Sequence, residues 1–264
     1  MSPTVHHFDE TGVSINDITS VPLGIMCASV AWTLWIRRRT WHMYWENAAT
    51  LNIGLLGAGT ALLTSSTTIG RVLYAITDQH NLEQWIAHWC FLGATAALIL
   101  HTQKRRTSLG ERLRTQYKQR IVMPFTLGVP VSLALFYQSP EADRVWPDDG
   151  SDGFLDIKIF DGWICAYWLS LTAMFCYLGT ILVKGLIVVR RNRRNRWCAN
   201  FYLAVIALGV SISAAVTVAT FDGMPIDTDN WVIPCAATYT TFLALIAAIS
   251  WQRKQHLAVA HLVA

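Results

Sequence analysis

Seven long apolar stretches follow one another along the chain, and short polar segments separate them. Each has about 20 residues, the length that a helix needs to cross a hydrocarbon core about 30 Å thick. The centres of all seven contain no Asp, Glu, Lys or Arg, which fits the high cost of a charge at the bilayer centre. The pattern therefore predicts an all-α integral membrane bundle of seven transmembrane helices, over residues 18–36, 48–70, 84–102, 121–138, 162–184, 198–221 and 231–250.

The composition supports a membrane protein. Hydrophobic residues make up 53% of the 264 residues and charged residues 14%, with a mean hydropathy of +0.34. Soluble domains contain roughly 25% charged residues, so this composition argues against a soluble domain and against a disordered chain. The lipid bilayer is the expected surrounding of most of the chain. Nucleic-acid binding is disfavoured, because the basic residues lie next to the predicted spans, at the bilayer surface.

The charged residues are sorted between alternate segments. Eighteen of the 21 Lys and Arg residues lie at the end of, or after, the first, third, fifth and seventh stretches, whereas 15 of the 17 acidic residues lie in the other segments. Cytoplasmic segments of membrane proteins are enriched in Lys and Arg. We therefore expect the N-terminal tail (1–17) outside the cytoplasm and the C-terminal tail (251–264) inside it. No cleavable signal peptide is predicted, so the first stretch is expected to act as its own insertion signal.

The chain is expected to form one transmembrane domain, residues 18–250. Its longest loop, 139–161, is too short for a soluble module. All six Cys residues lie within predicted helices and are interpreted as small packing residues. No motif of a hydrolase, a metalloprotease or a nucleotide-binding enzyme occurs. The sequence thus predicts no enzyme, no cofactor and no metal site.

Polar residues inside the spans are the candidate ligand-lining residues, because the membrane makes such residues costly. His88 and Thr95 share one face of the third helix, Thr64 and Thr68 share a face of the second, and Tyr239 lies among threonines of the seventh. Two interpretations of His88 stay open. In the first, His88 senses protons or holds a ligand. In the second, it is a neutral imidazole bonded to a hydroxyl or a headgroup. The threonine hydroxyls are expected to bond neighbouring helices.

The segment RRNRRNR (190–196) is a dense basic cluster on the predicted cytoplasmic side. A cation near an anionic lipid surface contributes about 1 kcal/mol of binding energy. The cluster is therefore a candidate contact for anionic lipid or for a cytoplasmic or membrane protein partner. A second interpretation, that these residues only fix the topology, also stays open. The residues concerned are Arg190, Arg191, Arg193, Arg194 and Arg196.

Three segments carry a resemblance to a known group of proteins: AYWLSLTAMFCYLGTILVKGLIVVRRNRRNRW (166–197), WTLWIRRR (32–39) and the basic segment 103–120. Together they resemble actinobacterial seven-helix integral membrane proteins, a group described as transporters or membrane regulators. The resemblance implies a seven-helix fold and brings no catalytic residues. Members often continue into a cytoplasmic region, whereas this chain ends fourteen residues after Ser250, which weakens an implied role in cytoplasmic regulation.

These observations predict a multi-pass protein of the cell membrane, most consistent with a non-enzymatic, receptor-like sensor or a membrane regulatory protein. The outer half of the bundle would hold a ligand, and segments 103–120 and 184–197 would contact a partner. A transporter or channel component is the first alternative, and a membrane enzyme that modifies lipids is the second. The sequence leaves the ligand, the partner and the oligomeric state open.

Overall fold

The computed structural model describes residues 15–38, 44–64, 66–104, 117–140, 161–193, 195–221 and 233–263. Within these ranges the chain is helical apart from short turns, which confirms the all-α prediction for them. Most of the predicted N-terminal tail and the loop 141–160 lie outside the described residues. The elements are α1 (Ile15–Arg37), α2 (Tyr44–Thr64), α3 (Ser66–Thr77), α4 (Leu82–Lys104), a π-helical turn (Lys118–Val122), α5 (Met123–Gln138), α6 (Gly162–Arg190), α7 (Arg196–Phe221) and α8 (Ile233–Val263).

Several of these helices have the length and apolar character of membrane spans. Within the described residues, four helices are long and apolar enough to cross a bilayer: Leu82–Gln103, Lys118–Gln138, Gly162–Arg190 and Ile233–Arg253. The bent pair of α2 and α3 adds a fifth when it is counted as one span. Membrane-type helices are thus confirmed for four spans, or five with the bent pair. The count of seven stays a prediction.

The predicted second helix, 48–70, is not one straight helix. Helix α2 ends at Thr64, and the chain turns by 91° between it and the helical segment that starts at Ile69. The break falls in the hydroxyl-rich run TSSTT (64–68), and Thr64 Oγ1 bonds the carbonyl oxygen of Ala61 at 3.0 Å. Such side chains compete with the backbone for helical hydrogen bonds and can bend a helix. Hydropathy does not report this competition, so the apolar pattern did not reveal the bend.

Two helices continue beyond the ends that the apolar pattern predicts. Helix α6 runs past residue 184 to Arg190, and α8 runs past residue 250 to Val263. The predicted bounds were those of the apolar stretches, and an apolar stretch ends where the chain is expected to leave the hydrocarbon. Helical hydrogen bonding has no such limit, and cations near a helix C-terminus interact favourably with its dipole.

Helix α4 lies at the centre of the packing. It packs most extensively against α2 and also against α6; α6 in turn contacts α5 and α7, while α8 contacts α1, α2 and α7. A close approach of α2 and α4 depends on Gly59, where a Cβ atom would lie 3.1 Å from the carbonyl oxygen of Ala87 and 3.1 Å from Cβ of Cys90. Small residues of this kind allow helix backbones to approach in a membrane.

Only part of the predicted hydrogen bonding between helices occurs. Thr60 Oγ1 and Thr240 Oγ1 lie 3.1 Å apart, joining α2 to α8, and Thr33 Oγ1 lies 3.1 Å from the carbonyl oxygen of Ala244. Most threonine hydroxyls within the described spans instead bond a carbonyl of their own helix, one turn back, so the prediction was wrong for them. The predicted threonines in this group are Thr64, Thr95, Thr102 and Thr241; Thr126 and Thr180, for which no such bond was predicted, bond their own helices in the same way.

A buried arginine joins three helices at the end of the bundle that carries the basic residues. Arg37 is 3% exposed; its Nε donates to Thr50 Oγ1 at 3.2 Å, and its guanidinium lies 5.0 Å from the ring centroid of Trp251. These contacts connect the end of α1 to α2 and α8. The next residue, Arg38, is exposed, and its guanidinium lies over the ring of Trp35 on the same helix. The sequence pattern did not distinguish the two arginines.

Replacing Arg37 is expected to destabilise the bundle far more than replacing its neighbour. Arg37→Ala removes a buried charged hydrogen bond and a cation–π contact, and we expect the free energy of unfolding to fall by about 2–3 kcal/mol. Arg38→Ala is the matched control, with an expected change within about 0.5 kcal/mol. Unfolding titrations with dodecyl sulfate in mixed micelles measure both. Equal losses for the two variants would contradict this role of Arg37.

Candidate ligand-binding cavity

A cavity of about 170 Å³ lies where five helices meet. Helices α2, α4, α6, α7 and α8 all contribute to its wall, which is mostly apolar. The polar side chains among its described lining residues are few, and none belongs to Asp, Glu, Lys or Arg. The lining consists of Asn52, Leu56, Leu63, His88, Phe91, Thr95, Leu98, Trp168, Phe175, Gly179, Leu182, Ile206, Gly209, Val210, Ile212, Cys235, Ala236, Tyr239 and Leu243.

His88 is the most buried titratable side chain of the wall. It is 8% exposed, and its Nδ1 lies 2.8 Å from the hydroxyl oxygen of Tyr167 on α6. The imidazole also packs edge-on against Trp168, with 5.0 Å between ring centroids. Among the described residues, Nε2 has no hydrogen-bond partner. One nitrogen therefore holds the ring in place, as the hydroxyl-bonded interpretation predicts, and the other is left for the cavity.

Tyr239 brings a second hydroxyl to the wall. Its ring lies against the backbone of α7 at Gly209, where a Cβ atom would come within 2.9 Å of Tyr239 Cε2. A side chain at that position would displace the ring, so the glycine makes this placement possible. In the part of the chain that the structure describes, the Tyr239 hydroxyl has no hydrogen-bond partner.

Asn52 and Thr95 complete the polar part of the wall. Asn52 Nδ2 donates to the carbonyl oxygen of Ala94 at 2.7 Å, which sets the orientation of the amide and leaves Oδ1 as an acceptor. Thr95 Oγ1 donates to the carbonyl oxygen of Phe91 at 3.0 Å, so it too can only accept from a ligand. The wall therefore offers several acceptors and few donors.

The structure brings together three of the five predicted ligand-lining residues: His88, Thr95 and Tyr239. Thr64 lies elsewhere, at the end of α2 beside the bend, with its hydroxyl bonded within the helix. The side chain of Thr68 lies outside the described residues. Whether a ligand binds these residues stays a prediction.

The predicted basic cluster lies at the turn between α6 and α7, away from the cavity. Arg190, Arg191, Arg193 and Arg196 are exposed there, and Arg194 lies outside the described residues. Exposure agrees with either of the two interpretations of this cluster, contact with lipid or protein and fixing of the topology. Both stay predictions.

The sequence pattern missed two polar residues that the structure places at or beside the cavity. Asn52 lies inside the predicted second span and was not singled out, although an amide in an apolar stretch is a signal of the same kind as a histidine. Tyr167, which holds the His88 ring, lies near one end of α6, where aromatic residues are common in membrane helices and do not by themselves indicate a site. Neither role follows from a single helix, because each depends on what the neighbouring helix presents.

A separate buried carboxylate occurs in the first turn of α4. Glu83 is fully buried, and neither of its carboxylate oxygens has a hydrogen-bond partner among the described residues. A helix N-terminus favours a negative charge at this position. Glu83 is not one of the described residues that line the cavity, so it does not contribute to the chemistry of this site.

The contact of Tyr239 with Gly209 gives a testable expectation. Gly209→Ala places a methyl group against the Tyr239 ring, and we expect the free energy of unfolding to fall by about 1–3 kcal/mol because of overpacking. Gly54→Ala on α2 is the control, since no atom lies within 4 Å of a Cβ atom there, and its stability should be unchanged or slightly higher. Titrations with dodecyl sulfate measure both variants. A Gly209→Ala protein as stable as the unaltered one would contradict the contact.

The geometry of the cavity has to be interpreted from this chain alone. No protein-family model, no curated protein and no solved structure matches it. The placement of the cavity and the hydrogen-bonding capacity of its wall are the features of the described residues that point to a function.

Proposed function

We propose that the chain crosses the cell membrane seven times, with its N-terminus outside and its C-terminus in the cytoplasm. The sorting of basic and acidic residues along the sequence supports this orientation. A small cavity of about 40 Å³ also supports it. Its lining comes from the ends of six helices that adjoin the basic segments, so these segments lie at the same end of the bundle. Arg37, His101, Val189, Asn195 and Trp251 are among these residues. Helix α3, at 91° to the preceding helix, would lie along the outer lipid surface.

Reporter fusions test this orientation. Green fluorescent protein fused after Ala264 should fluoresce, and alkaline phosphatase at the same position should be inactive, because only the cytoplasm suits the former. Fusions after Gln79, in the turn between α3 and α4, should give the opposite pair of results. Alkaline phosphatase activity at both positions would contradict the proposed topology.

We further infer that the protein is a non-enzymatic, receptor-like sensor that binds a small molecule in the cavity. One observation carries this proposal: Leu98 of α4 lines both the large cavity and the small cavity at the basic end. Helix α4 thus connects a binding site to the end of the bundle where Arg37 joins three helices. A ligand that favours one packing of α4 would change the population of states at that end.

The basic turn between α6 and α7 is the expected site of communication with a partner. Arg190, Arg191 and Arg193 are exposed there, and Val189 and Asn195 of the same region line the small cavity. A change in α4 therefore has a short path to an exposed, positively charged surface. The mostly apolar wall of the large cavity favours binding over passage of a polar solute.

A cysteine in the small cavity reports on this connection. Cys198 lines the small cavity, and alkylation by N-ethylmaleimide measures its accessibility once Cys27, Cys90, Cys165, Cys176 and Cys235 are replaced by Ala. Gly179→Phe fills the large cavity, because a Cβ atom at Gly179 meets only Val210 Cγ2, at 3.9 Å. We expect this variant to change the alkylation rate by about fivefold or more, the lower range of a typical allosteric coupling.

Gly54→Phe is the matched control, since it lies outside the described lining and has no atom within 4 Å of its Cβ position. The rate in this control should equal that of the parent protein. Mass spectrometry of the alkylated peptide gives the rates. Equal rates in Gly179→Phe and Gly54→Phe would show that the two cavities are independent and would contradict the sensor proposal.

A further inference from the structure

The hydrogen bond between Tyr167 and His88 determines what the cavity offers to a ligand. Tyr167 is fully buried, and the described residues give its hydroxyl no partner besides His88 Nδ1. If Nδ1 carried the proton of a neutral imidazole, Tyr167 would have to accept, and its own proton would be buried without an acceptor. That arrangement costs about 1–3 kcal/mol. Tyr167 therefore donates to Nδ1, and the imidazole proton resides on Nε2.

The Nε2–H group is thus a donor without a partner at the wall of an apolar cavity. A doubly protonated imidazole would present the same donor, so this conclusion does not depend on the charge of His88. The ring cannot easily turn away, because Tyr167 holds one side and Trp168 packs against it. An unpaired donor in such surroundings favours a ligand that supplies an acceptor.

The size and charge of the wall restrict the ligand further. An engineered cavity of about 150 Å³ lined by apolar side chains binds benzene, so about 170 Å³ accommodates one six-membered ring with small substituents. No Asp, Glu, Lys or Arg occurs among the described lining residues, and an ion in these mostly apolar surroundings would be strongly disfavoured. A neutral, compact, mostly apolar molecule meets both conditions.

We propose that the cavity binds a small, neutral molecule of about one ring, apolar over most of its surface, whose single accepting oxygen receives the Nε2–H of His88. This inference rests on the proposed sensor function and names its class of ligand. Tyr239, whose hydroxyl also has no described partner, lines the same cavity from α8 and is the candidate donor of a second hydrogen bond where the ligand oxygen can accept two.

Two fluorinated probes of the same shape test the proposal: 4,4-difluorocyclohexanone, which has an accepting oxygen, and 1,1-difluorocyclohexane, which has none. Fluorine NMR measures their binding to the protein in phosphatidylcholine nanodiscs. We expect 4,4-difluorocyclohexanone (the ketone) to bind about three- to tenfold tighter than 1,1-difluorocyclohexane (the oxygen-free probe), which is the effect of one hydrogen bond. Gly179→Phe should abolish saturable binding of both probes, whereas Gly54→Phe should leave both unchanged.

The double variant His88→Phe/Tyr167→Phe removes the donor and leaves no unpaired hydroxyl behind. Its affinity for the oxygen-free probe should be retained, and the ratio of the two affinities, ketone over oxygen-free probe, should fall to about one. If this variant fails to fold, nitrogen NMR of 15N-histidine-labelled wild-type protein decides instead, with His88→Gln used to assign the signal. The Nε2 resonance of His88 should have the chemical shift of a protonated nitrogen. This shift should change when the ketone binds, but not when the oxygen-free probe binds.

The possible failures are distinct. Equal affinities of the two probes in the wild type, both lost in Gly179→Phe, would overturn the role of His88 while leaving a ligand-binding cavity. Binding of neither probe, or binding that Gly179→Phe does not change, would overturn the ligand class and the proposed sensor site together. An Nε2 resonance typical of an unprotonated nitrogen would overturn the assignment of the donor.

Discussion

Hydrocarbon offers no hydrogen-bonding partner, so each polar group that this chain carries into a bilayer depends on a partner within the protein. The backbone meets this condition by forming helices, and most threonine hydroxyls meet it by bonding a carbonyl one turn back. Asn52 uses a neighbouring helix instead, and Thr60 does both, since its hydroxyl donates to the carbonyl oxygen of Leu56 and also contacts the Thr240 hydroxyl on α8. His88 Nε2 and the Tyr239 hydroxyl, which have no described partner, lie at the central cavity, whereas the Glu83 carboxylate, which also has none, lies outside its described lining. Unmet hydrogen-bonding capacity together with the cavity therefore distinguishes the candidate site.

Close packing around small residues accounts for the position of that cavity. Gly59 allows α2 and α4 to approach, and Gly209 allows the ring of Tyr239 to lie against α7. Where the wall is instead built from Gly179 and Ala236, no large side chain fills the space between five helices. The same choice of small residues that brings some helix pairs together thus leaves an opening elsewhere.

The two ends of α4 differ in a way that matters for the proposed sensor. Towards one end, His88 and Thr95 line the large cavity; towards the other, His101 and Thr102 line the small cavity beside Arg37, and Leu98 contributes to both. Packed helices respond to a ligand by changing between discrete arrangements. A single helix that borders both cavities is a suitable element for such a change, because its displacement alters both ends at once.

Much of this architecture was predictable from hydropathy and charge. An all-helical chain with membrane-type spans followed from apolar stretches about 20 residues long, and His88, Thr95 and Tyr239 were candidates because polar residues in such stretches are costly. The bend after Thr64 was not predictable in this way, because hydropathy averages over a run of hydroxyl side chains that compete for backbone hydrogen bonds. The helical continuation of α6 to Arg190 was missed for a related reason, because the backbone hydrogen bonds of a helix can continue from lipid into water and hydropathy does not report them.

The sequence by itself determined which segments prefer lipid and which side of the membrane their charges favour, because both are properties of composition along the chain. Only the tertiary structure decided which polar groups have partners. Arg37 and Arg38 are adjacent and chemically identical, yet one is buried against Thr50 and Trp251 and the other is exposed. Likewise, the donor that His88 presents depends on Tyr167, a residue 79 positions away in the chain. Hydrogen bonding between helices is a property of their arrangement, so no single helix contains it.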